Sequence, residues 1–149
     1  MKVSTKGRYA LRLMVDLGIN GGDDKDKYIS LKDVSMRQNI SIKYLEQIVT
    51  PLHRAGLVRS VRGAQGGYRL SRSPERYTAG EILRAIEGSF APIACLETET
   101  NECERYGECA TVGFWEGMYK VISDYVDSVS LKQLIDEHLQ STCGGCQER

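Results

Sequence analysis

Residues 29–70 read ISLKDVSMRQNISIKYLEQIVTPLHRAGLVRSVRGAQGGYRL, and their pattern sets the architecture expected of the whole chain. Ser30 and Ser41 each follow an apolar residue and precede another by four positions, the pattern of a helix N-cap with a hydrophobic staple. The spacing predicts two consecutive short helices, the first ending near Asn39 and the second at Ala55-Gly56. Pro51 lies inside the second helix, where it is expected to kink the helix or shorten its last turn.

Two short runs rich in β-forming residues follow at 57–61 and 68–70, and a glycine-rich segment, residues 62–67, joins them. This pattern predicts a β-hairpin. Two short helices separated by a short turn and followed by a hairpin form the winged variant of the helix-turn-helix, in which the second helix enters the major groove of DNA. The expected fold class is therefore mainly α with a small β-hairpin, a winged helix-turn-helix.

Helices are also predicted on both sides of this motif. The first covers about residues 5–20, and its apolar stripe consists of Tyr9, Ala10, Leu13, Met14 and Leu17. Thr78 opens a further helix that ends at Gly88, a long apolar pattern covers about residues 110–127, and Ser130 caps a last helix.

The charge divides the chain close to the predicted domain boundary. Residues 1–76, the expected DNA-binding domain, contain 15 Lys and Arg against 7 Asp and Glu, a net charge of +8. Residues 77–149 contain 5 against 13, a net charge of −8. This second part is expected to hold dimerisation helices at 77–140, with a cysteine loop at 89–109, and a mobile tail at 141–149. The split indicates that the first half faces a polyanion, double-stranded DNA, and that the second is kept off it.

Several classes of protein are not expected from this composition. No apolar run reaches the roughly 18 residues that a membrane span needs, and the N-terminal residues lack the apolar region of a signal peptide. A cytoplasmic location without a membrane partner is therefore expected, where five cysteines more often bind metal or do redox work than form disulfides. The sequence shows neither a Cys–His pairing near the cysteine loop nor a phosphate-binding loop, so an enzyme is not expected.

The predicted reading helix and hairpin carry the candidate DNA-binding residues. Gln can bind adenine through two hydrogen bonds and Glu can accept one from cytosine, so Glu46 and Gln47 are candidates for reading bases. Residues better suited to phosphates are Lys6, Arg8, Ser41, Lys43 and Tyr44. The hairpin is crowded with arginines, and its slim tip could approach a minor groove, where Arg is favoured; its candidates are Arg59, Arg62 and Gln65, with Arg69 and Arg72 nearby.

Cys95, Cys103 and Cys109 lie within fifteen residues in the spacing C-x7-C-x5-C. Thiolates are soft ligands that select iron–sulfur clusters, zinc or copper(I) over magnesium or calcium, and the spacing lacks the C-x2-C pairs of most zinc ribbons. The alternative is three thiols without metal in a flexible acidic loop. Cys143 and Cys146 have redox-motif spacing without the strand-helix context of such a site, so they are a non-essential tail, an auxiliary ligand or a redox pair.

The long predicted helix carries an apolar set at helical spacing, which consists of Trp115, Met118, Tyr119, Ile122, Tyr125, Val126 and Val129. It could pack on its own domain, but its length and aromatic content favour contact with a second copy. Gly113 and Gly117 lie four positions apart, which permits close approach of another helix. A homodimer would also match a palindromic operator with half-sites one turn apart. The expected fold therefore includes a long C-terminal dimerisation helix.

Several motifs resemble the Rrf2 family of bacterial winged-helix regulators, and within it the iron–sulfur cluster regulators. They are STKGRYA at 4–10, YLEQ at 44–47, AGLV at 55–58, VRGAQGGY at 61–68 and TAGE at 78–81. They occur in the expected order, and the resemblance runs from residue 1 to about 140. It implies a homodimer bound to an operator, with Glu46 and Arg62 helping to read bases, Lys43 at a contact position and the hairpin in the minor groove.

The same resemblance implies a [2Fe–2S] cluster, held by Cys95, Cys103 and Cys109 and by a histidine three residues after the third cysteine. In this sequence that position is Val112. The fourth ligand is left open among Glu104, Glu108, Cys143, Cys146, a group from the partner subunit and solvent. The implied function is transcription regulation by cluster sensing, as a repressor of cluster-assembly genes. The alternatives are a thiol-, zinc- or nitric-oxide-responsive regulator of the same fold, and a cluster scaffold or electron carrier that does not bind DNA.

Overall fold

A computed structural model describes residues 2–100 and 102–144. Over these residues the chain forms six α-helices and one two-stranded sheet, in the order α1 (Thr5–Gly21), α2 (Leu31–Gln38), α3 (Ile42–Arg54), β1 (Val58–Val61), β2 (Gly67–Leu70), α4 (Ala79–Glu87), α5 (Val112–Ser128) and α6 (Leu131–Gly144). Short 3-10 turns occupy Pro74–Arg76, Ala94–Leu96 and Tyr106–Glu108. The mainly helical winged fold expected from the sequence is confirmed.

The helix starts follow the predicted caps. The hydroxyl oxygen of each capping residue accepts a hydrogen bond from the backbone N–H three positions later, at 3.0–3.2 Å, for Ser30, Ser41, Thr78 and Ser130. Such a cap satisfies a donor that the first turn of a helix otherwise leaves without a partner. The local pattern is therefore sufficient to place these four starts.

A tight turn joins α2 to α3. Asn39 adopts the left-handed conformation (φ 53°, ψ 48°), which asparagine tolerates better than most side chains. The chain then passes through Ile40, which is buried, to the Ser41 cap. α3 continues past Pro51 to Arg54, so the proline does not shorten the helix. Leu52 is fully buried directly after it, and this packing favours continuation.

The hairpin is fastened to the helices at its base. β1 and β2 pair antiparallel with Val58 opposite Leu70 and Val61 opposite Gly67. Tyr77 is fully buried; its hydroxyl donates to the Leu57 carbonyl at 2.7 Å and accepts from the backbone N–H of Ser71 and Arg72 at 2.8 and 3.0 Å. These three bonds fix both hairpin ends against the core, which is centred on α1 and α3.

The C-terminal helices differ in how they pack. α6 packs against α1 and buries Leu131 and Ile135 in the core that α1 and α3 also form. α6 extends to Gly144, beyond the predicted end near residue 140, while Cys146 lies outside the described residues. α5, by contrast, has no buried residue.

Within the described ranges, no helix is long and apolar enough to cross a membrane.

Candidate DNA-binding surface and thiol loop

The outward face of α3 carries most of the predicted base-reading and phosphate-binding side chains. Leu45, Ile48, Val49 and Leu52 point into the core, so the opposite face is left to Lys43, Glu46 and Gln47, all of which are exposed. Ser41 is exposed too, but its hydroxyl already accepts from the Tyr44 N–H at 3.2 Å. The arrangement places a charged and amide-bearing helix face where a DNA groove can reach it.

Tyr44 has a packing role that its sequence position did not indicate. It is half-buried, and its ring meets that of Tyr9 edge to face, with centroids 5.7 Å apart at 85°. Aromatic pairs favour this geometry. The contact joins the start of α3 to α1.

The start of α1 brings the other two predicted phosphate contacts to the surface. Arg8 is exposed and Lys6 is half-buried. Ser4 caps this helix, and its N–H and hydroxyl donate to Glu87 Oε1 at 2.9 and 2.5 Å. Glu87 is the last residue of α4, so the end of α1 that carries Lys6 and Arg8 is tied to a residue two positions before the cysteine loop.

The hairpin tip is slim, as predicted, and exposes Arg62 and Gln65. Gly63 has φ +118°, a conformation that L side chains rarely adopt. A side chain at Gly66 would place its Cβ 2.5 Å from the Val61 carbonyl oxygen. Both glycines keep the tip narrow, which suits entry into a minor groove.

Two basic side chains near Arg62 were missed by the sequence reasoning. His53 and Arg54, at the end of α3, line a recess with Arg62 and Ser60, and His53 Nε2 lies 3.3 Å from Ser60 Oγ. Only the packing of β1 against α3 brings them together. Their position in the last turn of the reading helix could have indicated from the sequence that they lie near the DNA-binding surface.

Arg59 lies apart from the other predicted DNA contacts. Ser60 faces α3, and because side chains alternate along a strand, Arg59 points to the opposite face of the hairpin. There it lines a separate recess with Arg69 and Arg72. Arg72 is engaged by Glu81 at 2.6 Å and lies over the Tyr77 ring.

Two of the three clustered thiols meet inside the cysteine loop. Cys95 and Cys103 are half-buried, and the pKa of the Cys95 thiol is raised, first by partial burial and then by its hydrogen bond with Cys103. Cys109 is exposed just before α5, and its Sγ lies 3.6 Å from Thr111 Oγ1. The backbone N–H of Thr111, followed by its hydroxyl, holds the pKa of Cys109 below its ordinary value.

The side chains of the loop do not form a preassembled metal cage. Within residues 2–100 and 102–144, no three His, Cys, Asp or Glu side chains are grouped so as to hold a metal ion. Val112, at the family's histidine position, is the first residue of α5. Glu104, Glu108 and Cys143 are exposed. The three thiols are donors of the kind that a soft metal or an iron–sulfur cluster takes. For all three to bind one cluster, the loop would have to bring Cys109 closer to Cys95 and Cys103.

Comparison with known proteins identifies the family. A family model described as Rrf2, iron-dependent transcriptional regulator, matches residues 3–137. The chain belongs to the Rrf2 family.

Individual Rrf2 relatives match almost the whole chain. CymR of Bacillus subtilis (strain 168), an HTH-type transcriptional regulator, is 41% identical over 134 residues, covering 90% of this chain and 89% of the relative. IscR of Aliivibrio salmonicida (strain LFI1238), also an HTH-type transcriptional regulator, is 37% identical over 141 residues, covering 94% and 81%. The solved structure of CymR, described as the global cysteine regulator of B. subtilis, has a TM-score of 0.72 at 36% identity and covers 92% and 98%.

This Rrf2 protein is therefore a transcriptional regulator that binds DNA, and the expectation that it is not an enzyme is confirmed by its family. The family description names iron, whereas the CymR structure is named for cysteine regulation. Both kinds of relative match along most of the chain, so the chemistry of the signal has to be argued from this protein's own thiols.

An ion pair with a buried carboxylate, which the sequence reasoning missed, orders the helix-turn-helix of this Rrf2 regulator. Asp16, on α1, is 2% exposed and accepts from Arg37 Nε and Nη2 at 3.0 and 2.8 Å and from Gln38 Nε2 at 3.0 Å. Its hydrogen bonds raise the pKa of Arg37. The end of α2 is thereby fixed against α1, and α3 follows after a three-residue turn.

Proposed function

We propose that this Rrf2 regulator binds a palindromic operator as a homodimer, and that Cys95, Cys103 and Cys109 hold a [2Fe–2S] cluster whose gain or loss changes its affinity for DNA. The observation that carries the proposal is the position of the thiol loop. The loop follows Glu87, which accepts from Ser4 at the start of α1, and its Phe90 contacts Arg84, which pairs with Asp127 on α5. Inside the loop, the Cys95 thiol is hydrogen-bonded to Cys103. Repression of cluster-assembly genes is the regulatory direction proposed with it.

On DNA, α3 would lie in the major groove with Glu46 and Gln47 at base edges and Lys43 at a backbone position. Lys6 and Arg8 at the start of α1 would reach adjacent phosphates, as would Ser41 and Tyr44. Arg62 and Gln65 would enter the minor groove from the hairpin tip. The exposure of the α3 face and of the hairpin tip supports this docking.

An exposed apolar face of α5 supports the homodimer. It shares only Met118 and Tyr125 with the predicted apolar set, whose other members are half-buried. Phe114, Val121 and Tyr125 are 67%, 68% and 69% exposed, and Met118 lies between them on the same face. Their spacing of four, three and four residues is that of a two-helix seam. A Cβ added at Gly113 or Gly117 would meet nothing within 4 Å, which leaves room for a second helix. A second copy related by two-fold symmetry would cover this face.

Two contacts support coupling between the loop and the dimer helix. Phe90, at the start of the loop, is buried, and the Arg84 guanidinium lies 5.0 Å from its ring centroid. Arg84 also donates to both carboxylate oxygens of Asp127 on α5 at 2.6 and 2.9 Å. Reordering the loop around a cluster would therefore act on α5 through Arg84 and on α1 through Glu87. The coupling is allosteric if cluster and DNA change each other's affinity.

The cluster would be a redox-active centre held by thiolates, and the chain's own contribution is to bring three thiols to one point. The proposed fourth ligand is one of Glu104, Glu108, Cys143, Cys146, a group from the partner subunit and solvent. A site without a fourth thiolate would be more open to exchange than a four-cysteine site, which suits a sensor.

Anaerobic purification tests the proposal. We expect visible absorption bands with matching iron and sulfide content in the native chain, and their loss in Cys103→Ala. Thr98→Ala, in the same loop but without a thiol, is the matched control and should keep the bands. Operator binding of both variants is then measured. A colourless, iron-free native protein, or a Cys103→Ala protein with an unchanged spectrum, would reject the cluster.

The contact between Cys95 and Cys103 favours thiol oxidation as a second candidate function. With hydrogen peroxide as oxidant, the two thiols would lose two electrons and two protons to form one S–S bond, and the peroxide would be reduced to two waters. Peptide mapping without reductant should then recover a peptide that links Cys95 to Cys103. Operator affinity should change on oxidation and recover with dithiothreitol. Oxidised protein that binds the operator as the reduced protein does would exclude this candidate.

A further inference from the structure

A basic recess lies on the hairpin face turned away from α3. Its volume is about 350 Å³, and it is enclosed by the end of α1, the loop that follows α1, and the segment after β2. Gly21 and Gly22 form one wall, and Arg59, Arg69 and Arg72 form another. The volume is at the small end of the range for ligand pockets.

The residues that line the recess carry an excess of positive charge. Five cationic side chains line it, Lys25 and Lys27 together with the three arginines, against the carboxylates of Asp23 and Asp24. Of the arginines, only Arg72 has an ion-pair partner in the described part of the chain, which is Glu81.

Arg59 and Arg69 are two of these cationic side chains, and they lie next to each other. They are direct cross-strand partners, and both line the recess. Like charges placed opposite each other on one face of a sheet repel. Among the described residues, Arg69 Nε is buried and has no hydrogen-bond partner, while its guanidinium lies 5.5 Å from the Tyr28 ring centroid. A buried donor without a protein partner is rare in folded proteins and is satisfied by a bound water or ion.

We infer that this recess binds a small oxyanion, such as the phosphate, sulfate or carboxylate group of a metabolite, between Arg59 and Arg69. Oxygen atoms of an anion would accept from both guanidinium groups and relieve their repulsion, since planar guanidinium donors match such anions in geometry. Asp23 and Asp24 at the recess disfavour a highly charged ligand and favour a compact one. This site is separate from the thiol loop and independent of the function proposed for it.

The competing occupant is a DNA phosphate, because the protein is a DNA-binding regulator. The recess lies on the opposite face of the hairpin from His53, Arg54 and Arg62. The geometry therefore favours a free anion, and the experiment includes DNA so that the two occupants give different results.

The test is a titration of the full-length, ¹⁵N-labelled chain with inorganic phosphate and with sulfate, at ionic strength held constant with chloride. We expect saturable shifts of the Gly21, Gly22 and Ser71 amide signals. Arg59→Gln and Arg69→Gln should each weaken anion binding by about tenfold or more. Arg59→Lys should weaken it by less, because lysine keeps the positive charge and loses only the paired N–H donors of the guanidinium group. Arg76→Gln removes an exposed arginine outside the recess and should bind as the native chain does.

Three outcomes would overturn the inference. The first is the absence of saturable binding of either anion. The second is equal binding by the native chain and by an Arg59→Gln variant whose circular dichroism shows that it is folded. The third is a DNA result: if Arg59→Gln lowers the salt dependence of operator binding by about one ion, and phosphate acts on DNA binding only through ionic strength, Arg59 is a backbone contact.

Discussion

The ion pair between Asp16 and Arg37 should make a large contribution to the stability of the fold. Asp16→Asn keeps the shape of the side chain and removes its charge. The native carboxylate accepts three hydrogen bonds, two at Oδ2 and one at Oδ1. An asparagine presents only one oxygen, so at least one donor faces an amide group, and the remaining bonds lose the negative charge of their acceptor.

The magnitude follows from burial. A hydrogen bond to a charged group contributes about 1.5–3 kcal/mol, and breaking a fully buried ion pair costs about 3–5 kcal/mol. Arg37 is 38% exposed, so water can hydrate part of its guanidinium after the substitution. We therefore expect Asp16→Asn to lower the free energy of unfolding by about 2–3 kcal/mol.

Urea unfolding at one protein concentration measures this change, with the slope m checked for constancy. Asp124→Asn is the matched control, because Asp124 pairs with Lys120 on α5 where both side chains are more than half exposed; it should cost less than about 0.5 kcal/mol. If Asp16→Asn cost no more than this control, the pair would not be what holds α2 against α1.

Three other predictions concern DNA, assembly and pH. Arg62→Ala should cost about 1–3 kcal/mol of operator binding and relax specificity, whereas Lys6→Ala should weaken all sequences alike and reduce the salt slope by about one, as measured by fluorescence anisotropy; equal binding by both variants would contradict the docking. Val121→Glu places a charge on the exposed face of α5 and should convert a dimer to monomers in light scattering, and a native chain that is already monomeric would refute the interface. The hydrogen bond from Arg84 holds the pKa of Asp127 below its ordinary value of 3.8. This pair should therefore stabilise the fold above pH 3.8 and lose its contribution as the pH falls through the lower pKa of the folded state. The free energy of unfolding, measured against pH, should show this small contribution in the native chain and not in Asp127→Asn.

The predicted helix starts depended on interactions within one turn. Each Ser or Thr cap bonds to an amide three residues away, so the residues that decide it are all present in a short window of sequence. The same holds for the turn at Asn39. The predicted end of α3 at Ala55-Gly56 is confirmed, although Pro51 alone favours an earlier stop. The helix continues to Arg54 because Leu52 is buried against residues far away in the sequence.

The sequence predicted only part of the candidate DNA-binding surface. The amphipathic spacing of α3 correctly placed Lys43, Glu46 and Gln47 on the exposed face. Tyr44 has the same spacing signal, but its contact with Tyr9 depends on how α1 crosses α3. Arg59 was grouped with Arg62 because both belong to one hairpin, while strand alternation and packing turn them to different recesses.

The sequence by itself determined the order of elements, the winged helix-turn-helix, the family and the presence of three thiols in one loop, because caps, apolar periodicity and motif spacing are local properties. Only the tertiary structure decided which distant groups meet: Asp16 with Arg37, Ser4 with Glu87, and Cys95 with Cys103. These pairs depend on helix crossing and loop path, which arise from the packing of the whole core and leave no periodic signal in the chain.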